Sequence, residues 1–417
     1  MEYQPRVVDE SLRDLLRIAG AVLVEGVRAC GKTETGEHLS RSSVRLDVDD
    51  AARELADLAP ARLLDGAAPR LIDEWQLAPQ LWNHVRRAVD QRREPGQFIL
   101  AGSAIPADDV TRHSGAGRIL RLRMRPMTLM EAGRSTNEVS LQEILDGMDA
   151  VDGASALSIE EIATALCIGG WPGMQNLSAK DAQRLLRSYL DDVARADLPD
   201  VDDTRRDPAR VRRLISAYAR HVATPATLAT IVRDTGTDEA DVLYPTTARA
   251  YIDALERTMT IEEQPSWGPH LRSRDTVRGA GIRHFVDPSL AVAAMNGSVD
   301  RLLGDPNTFG LLFESMVVRD LRVFAQALDG EVRHYRDSAG TEADAIIQLR
   351  DGRWIAIEIK LGQSRVEEAA TSLKKLVQKI DTSRVGEPTA LVVITGGQYA
   401  YTRRDGVHVV PAGCLGA

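Results

Sequence analysis

The chain has 417 residues, of which 43% are hydrophobic, 27% charged and 4% aromatic. That balance excludes collagen-like, low-complexity and wholly disordered chains and leaves room for about three domains of ~150 residues. A formal net charge of −9 excludes a surface-wide basic field for nucleic acid. No apolar run reaches the ~18 residues of a membrane span, and the start MEYQPRVVDESLRDLLRIAG has no apolar signal core. Three distant cysteines, Cys30, Cys167 and Cys414, suit neither a disulfide framework nor a zinc cluster. A soluble, cytoplasmic protein is expected. Of 52 Lys plus Arg, six are Lys: Lys32, Lys180, Lys360, Lys374, Lys375 and Lys379. A compact ammonium is therefore the exception in this chain, and Lys32 and Lys360 stand where phosphate and metal chemistry ask for one.

In chain order, Ala21–Val24, Val44–Val48, Arg70–Ile72 and Phe98–Leu100 read as strands. Leu81, Trp82, Val85, Ala88 and Val89 recur at helical spacing between the last two. This alternation predicts a parallel sheet with covering helices. Residues 140–205 read as charged helices broken by the turn Gly169-Gly170-Trp171-Pro172-Gly173, with a linker over Leu198–Arg206. Helical patterns at Val211–Tyr218, Leu228–Val232 and Ala248–Leu255, then a strand-like Thr258–Glu262, suggest a winged helix-turn-helix. A helix around Phe309–Leu328 opens the last region, which continues with strands, a helix and further strands.

Gly26-Val27-Arg28-Ala29-Cys30-Gly31-Lys32-Thr33 fits the phosphate-loop pattern G-x-x-x-x-G-K-[ST] after an apolar strand. The glycines permit the conformations that aim backbone N–H groups at phosphates, and the helix start adds a positive dipole end. Lys32 would pair with the outer phosphates and Thr33 would hold magnesium. Leu71-Ile72-Asp73-Glu74 ends a later strand with two acids, as a Walker B element does. Asp73 is the candidate magnesium ligand and Glu74 the general base. Ser103, after the apolar strand Phe98–Leu100, is placed to sense the terminal phosphate, or to cap a helix.

The second informative stretch is EADAIIQLRDGRWIAIEIK, Glu342 to Lys360. A three-residue loop, Arg350-Asp351-Gly352, with Gly in the left-handed conformation sets Asp344 opposite Glu358. Asp344, Glu358 and Lys360 then share one strand face. Asp344 and Glu358 are candidate metal ligands, with Lys360 orienting or activating water. A polar hairpin face with a Glu–Lys neighbour pair is the plainer reading. Arg205, Arg206, Arg210, Arg212, Arg213 and Arg220 cluster in the three-helix segment, as a DNA contact or within an interdomain spacer.

GVRACGKT, LIDEWQLAP, FILAGSA, GRILRLRMRPMTLMEAG and GGWPG together resemble prokaryotic AAA-type ATPases that carry a C-terminal domain of unknown function. The Asp344, Glu358-x-Lys360 pattern resembles the PD-(D/E)xK nuclease core. The resemblance implies an α/β P-loop AAA-type core over residues 1–140 and a helical lid and linker over 141–205. It further implies a winged helix-turn-helix over 206–275 and a restriction-endonuclease-like α/β domain over 276–417. It implies ATP and Mg2+ as cofactors, DNA or RNA as partner, no membrane, and a homo-oligomer in which Arg118 senses phosphate or reaches a neighbouring subunit. A structural salt bridge is the plainer role for Arg118. Glu314 matches that nuclease fold's helical acid. Glu34, directly after the loop, departs from the family's small or apolar residue there. Two other functions stay open: a nucleotide-switched regulator without nuclease activity, and an adaptor that assembles through Arg118.

Overall fold

The computed structural model describes residues 3–102, 115–198, 206–236, 242–269 and 281–417. It divides into two compact units, residues 1–126, 195–206 and 253–260 forming the first and residues 127–194, 207–252 and 261–417 the second.

The first unit holds strands β1 (Ala21–Glu25), β2 (Ser42–Arg45), β3 (Arg70–Asp73), β4 (Phe98–Gly102) and β5 (Ile119–Arg123). They form one sheet in the order β2-β3-β4-β1-β5, every pair parallel. Parallel strands are covered on both faces, so the central ones are apolar throughout: all of Phe98–Gly102 is buried. Helices α1 (Val8–Ile18), α2 (Lys32–Leu39), α3 (Asp50–Leu58) and α4 (Leu81–Arg92) accompany the sheet. Leu81, Trp82 and Val85 of α4 and Ala52 and Ala56 of α3 join Leu23, Ile72 and Leu100 in one core.

One strand reading shifts and one strand is added. The segment expected at Val44–Val48 is β2 at Ser42–Arg45, because Asp49 caps α3 through the Ala52 N–H and Val48 is exposed. Ile119–Arg123, which alternates with arginine, adds an edge strand beside β1.

In the second unit, β6 (Val139–Ser140), α5 (Leu141–Leu145) and β7 (Asp152–Ala154) precede α6 (Ile159–Ile168) and α7 (Ala179–Asp192). The helical expectation over this stretch is corrected at β6 and β7. β6 pairs with β14 (Leu415–Gly416), and β7 pairs with β12 (Tyr399–Thr402), more than 240 residues away in sequence. Helices α8 (Pro208–Arg220), α9 (Leu228–Arg233) and α10 (Pro245–Arg257) follow, the residues of α10 from 253 onward belonging to the first unit. The strand expected at Thr258–Glu262 is a turn, with Met259 at φ 58°, followed by isolated bridges Ile261–Phe285 and Gln264–Ile282.

Then come α11 (Pro288–Ala294), α12 (Val299–Gly304), the 22-residue α13 (Pro306–Ala327), β8 (Gly330–Arg336), β9 (Glu342–Leu349), β10 (Trp354–Lys360), α14 (Val366–Lys379), α15 (Thr382–Val385), β11 (Ala390–Thr395), β12 and β13 (His408–Pro411). The seven-stranded sheet runs β7-β12-β13-β11-β10-β9-β8. β8, β9 and β10 are antiparallel neighbours, whereas β10–β11 and β11–β13 are parallel.

A buried ion triad anchors this unit. Arg319 on α13 meets Asp287 and Asp320, each at 2.7 Å. Asp287 also accepts from the Gly170 N–H at 2.9 Å, and Asp320 from the Leu129 N–H at 3.0 Å. A Cβ at Gly170 would lie 2.1 Å from the Met127 carbonyl oxygen, so only glycine fits. The Gly-Gly-Trp turn is therefore a packing junction, with Trp171 Nε1 donating to Ser289 Oγ at 2.9 Å.

Candidate functional site

β1 ends at Glu25 and the chain turns at once into the loop Gly26–Gly31 before α2. Gly26 lies so close to the neighbouring backbone that a Cβ would sit 2.2 Å from the Met124 carbonyl oxygen. Gly31 has φ 105° and precedes Lys32, the first residue of α2. Val27 and Cys30 are buried, Arg28 and Ala29 exposed, and Ala29 has φ 63°. Lys32 is buried and its Nζ donates to the Val27 carbonyl at 2.9 Å, so the ammonium is held over the loop. Glu34 is exposed, away from the buried Lys32.

Thr33 Oγ1 donates to Asp73 Oδ2 at 2.9 Å, joining the start of α2 to the end of β3. Burial raises the Asp73 pKa; the Thr33 hydroxyl works against that rise and the neighbouring Glu74 charge adds to it. A buried carboxylate beside a hydroxyl is an oxygen donor set that a small hard cation would complete. Thr33 and Asp73 thus fit magnesium. Glu74 is in the left-handed conformation at φ 52°, and its carboxylate accepts from Gln76 Nε2.

A residue missed in the sequence supports the loop. Buried Arg6 donates to the Cys30 carbonyl at 3.0 Å and to the Arg125 carbonyl at 2.8 Å, tying the loop to the chain leaving β5. Arg6 lies 24 residues before Cys30 and carries no motif, so no local signal announces it.

Arg118 is placed elsewhere. It precedes β5, its carbonyl accepting from the Ala21 N–H at the start of β1. The phosphate loop lies at the other end of these parallel strands, about 17 Å away at ~3.3 Å per residue. Arg118 pairs with Asp90 at 2.8 Å. A role for Arg118 at its own chain's nucleotide is corrected by this geometry. Ser103 lies outside the described residues, as does Arg205. The other arginines of the basic cluster have local partners. Arg212 meets Asp191 at 3.0 Å, Arg210 meets Asp207 at 3.6 Å, Arg220 bonds to Asp234, and Arg206 donates to the Leu198 carbonyl at 2.8 Å.

In the second unit the β9–β10 hairpin pairs Ala345 with Ile357 and Gln348 with Trp354. Gly352 has φ 95°, and its N–H bonds back to the Leu349 carbonyl. One step further in this register, Asp344 is level with Glu358. Lys360 Nζ lies 2.9 Å from Asp344 Oδ2 and 2.6 Å from Glu358 Oε2, and the Ile359 N–H also donates to Asp344 at 2.7 Å.

Glu358 is 3% exposed. Its Oε1 is buried without a hydrogen bond, the nearby Ser372 hydroxyl donating instead to the Glu342 carbonyl at 3.5 Å. Burial, then the Asp344 charge, push the Glu358 pKa up to about 8. Burial and Asp344 also hold half-buried Glu314 well above the carboxylate range. Burial lowers the Lys360 pKa, but attraction to Asp344 and Glu358 outweighs it and raises the net value.

The three acids therefore feel one another, with the Lys360 ammonium between two of them. Among the described residues no group of three His, Cys, Asp or Glu is arranged to hold a metal. Carboxylate oxygens fit a hard cation, but Lys360 would first have to move aside.

Behind this cluster lies a second arrangement absent from the sequence reading. Gln264 Nε2 donates to the Asp344 carbonyl at 3.0 Å, Gln264 Oε1 meets His284 Nε2 at 3.1 Å, and His284 Nδ1 meets Ser315 Oγ at 3.0 Å. Burial, reinforced by Arg322, holds His284 well below the usual imidazole range, so it is neutral. A neutral ring donating from Nε2 accepts the Ser315 hydroxyl at Nδ1.

Three family models match successive parts of the chain: an AAA domain over residues 19–133, a domain of unknown function (DUF8612) over 159–301, and another (DUF4143) over 309–415. Uncharacterized proteins of Mycobacterium bovis and Mycobacterium tuberculosis are each 25% identical, covering 96% of this chain and 82% of their own. The crystal structure of a DNA replication initiation factor aligns at 17% identity over 60% of this chain and 86% of its own; its TM-score of 0.23 carries no argument. No described helix is long and apolar enough to cross a membrane. The AAA domain match, on a parallel sheet that ends in a complete phosphate loop, supports a P-loop ATPase core of AAA type over residues 19–133.

Proposed function

We propose that the protein binds and hydrolyses ATP with magnesium at Gly26–Thr33 and Asp73–Glu74, and that its C-terminal sheet is a nuclease-like module that acts on or binds nucleic acid. The carrying observation is the 2.9 Å contact between Thr33 and Asp73, which joins the two motifs at one point. The loop N–H groups and Lys32 would bind the phosphates, Lys32 exchanging the Val27 carbonyl for a phosphate oxygen. Thr33 and Asp73 would hold magnesium, whose charge offsets that on the phosphates. Glu74 would accept the proton of the attacking water once released from Gln76. Glu74→Gln should leave ATP affinity within about twofold while lowering turnover by ~10²–10⁴, read by calorimetry and phosphate release. Equal turnover in the variant would remove Glu74 as base.

For the second unit, the succession α13, antiparallel β8-β9-β10, α14 and parallel β11 supports the restriction-endonuclease-like reading, with Asp344, Glu358 and Lys360 at its centre and Glu314 on α13. Helices α8, α9 and α10 with the two following bridges support the winged-helix reading. A second function, a nucleotide-switched binding module without cleavage, is favoured by Lys360 standing between the acids. Arg118, exposed at the far sheet edge, remains a candidate for contact with another subunit.

A further inference from the structure

Gln76 lies on the short helical turn Trp75–Leu77 that follows β3 and Glu74. Its Nε2 donates to the Glu74 carboxylate. Its Oε1 is buried and accepts from no group, and the Trp75 indole Nε1 is buried and donates to none. Both orphaned atoms stand over Gly102: a Cβ there would lie 2.5 Å from Gln76 Oε1 and 2.9 Å from Trp75 Nε1. Gly102 ends β4 and is level with Glu25, the residue before the phosphate loop, while Asp73 is level with Ala101. The Gln76 amide therefore sits among the strand ends that carry the loop and both acids. Trp75 is 3% exposed, and its ring packs in the core against Trp82 with centroids 5.2 Å apart. The indole is fixed, so the flexible Gln76 side chain is the part that can turn.

We propose that Gln76 is a positioning residue that controls Glu74 by an exchange of partners. With no nucleotide bound, its amide holds the Glu74 carboxylate. When ATP binds, its N–H turns to a terminal phosphate oxygen and its carbonyl accepts the Trp75 indole N–H, which leaves Glu74 free for water. The proposal rests on reading Gly26–Thr33 and Asp73–Glu74 as a site of ATP hydrolysis and names the regulation of its base. Hydrogen-bond accounting favours it. A buried donor and a buried acceptor left unpaired each bear a desolvation cost, and native proteins keep few such groups. Gln76 Oε1 and Trp75 Nε1 both bear it in the structure. The exchange pairs them with each other, and the Gln76 N–H gives up one anionic acceptor for another. A neutral acceptor could not replace the carboxylate on equal terms, since hydrogen bonds to ionised groups are about twice as strong. A phosphate can. The nucleotide thus interacts differently with the two arrangements, which is what shifting an equilibrium requires. Gly102 has no side chain to obstruct the meeting of amide and indole.

The test reads the indole directly. In the full chain labelled with nitrogen-15 on tryptophan, five indole N–H signals arise, one per tryptophan, and the signal lost in Trp75→Phe is that of Trp75. Adding Mg2+ and adenylyl imidodiphosphate, an ATP analogue that is not hydrolysed, should move the Trp75 proton of the wild type downfield, as a new hydrogen bond does. In Gln76→Met, which keeps the side-chain length but removes the amide, the analogue should leave that signal in place. No movement in the wild type while calorimetry shows the analogue bound, or the same movement in Gln76→Met, would overturn the proposal alone. Failure of the analogue to bind would defeat the nucleotide reading and the proposal with it. Turnover gives a second arm. Trp75→Phe should lower kcat at least about threefold with ATP affinity within about twofold, and should have less effect than that on kcat in the Gln76→Met background. An equal loss in both backgrounds would overturn the proposal, because a packing role for the indole does not depend on the amide. The signal movement without turnover in any of these proteins would defeat the hydrolysis reading and leave the exchange as a nucleotide sensor.

Discussion

His284 illustrates how much a single side chain of this protein depends on its burial. Its ring is 1% exposed and bonded on both nitrogens, to Gln264 and Ser315. The folded state keeps it neutral well below its usual pKa, while the unfolded chain takes up a proton as pH falls through about 6.5. The unfolded state then binds more protons than the folded one, so stability rises with pH up to about 6.5 and is lost below it. Between pH 7.5 and 5 this site should cost the wild type up to about 2 kcal/mol. His284→Gln has no proton to gain and should remove that part of the acid slope, as measured by denaturant unfolding at the two pH values. An unchanged slope would mean that the folded ring takes up its proton as readily as the unfolded chain does. Glu358 acts with the opposite sign. Its pKa of about 8 makes the folded state the better proton binder between the unfolded carboxylate range and pH 8, so its contribution falls as pH rises through that window.

Among the elements, the β9–β10 hairpin shows why part of the site was legible. Its register follows from turn chemistry: a Gly in the left-handed conformation closes a three-residue loop, which sets Asp344 level with Glu358. Gly352→Val should lower the unfolding free energy by ~1–2 kcal/mol, because a β-branched residue is strained at φ 95°; Gly352→Asn should cost less. Equal stability of all three in denaturant unfolding would show that the loop does not fix the register. The phosphate loop was legible for a similar reason, since strand, glycines, lysine and helix follow one another within a few residues. What stayed hidden is non-local. Asp152-Gly153-Ala154 has no strand pattern of its own and pairs because β12 presents an edge to it. Ile119–Arg123 was hidden by its alternating arginines, one of which, Arg121, pairs with Glu25 on β1 at 2.8 Å. Arg6, Gln264 and Ser315 are ordinary residues until the fold brings them to a loop carbonyl, a strand carbonyl and a buried imidazole.

Over the whole molecule, the two candidate centres lie in separate compact units, one at the ends of the parallel strands β1 and β3 and the other on the antiparallel hairpin β9–β10. Both use one of the six lysines of an arginine-dominated chain, held against oxygen acceptors that a ligand would replace: the Val27 carbonyl for Lys32, and Asp344 and Glu358 for Lys360. A compact ammonium can make that exchange within a narrow site where a planar guanidinium would not fit. At the proposed nucleotide centre the hydroxyl of Thr33 and the carboxylate of Asp73 already meet. The most direct test is calorimetric titration of Mg-ATP into the wild type and the Lys32→Ala variant. The wild type should bind, and loss of a charge-assisted phosphate contact should weaken binding by at least about tenfold. Equal affinity in the two proteins would contradict nucleotide binding at Gly26–Thr33.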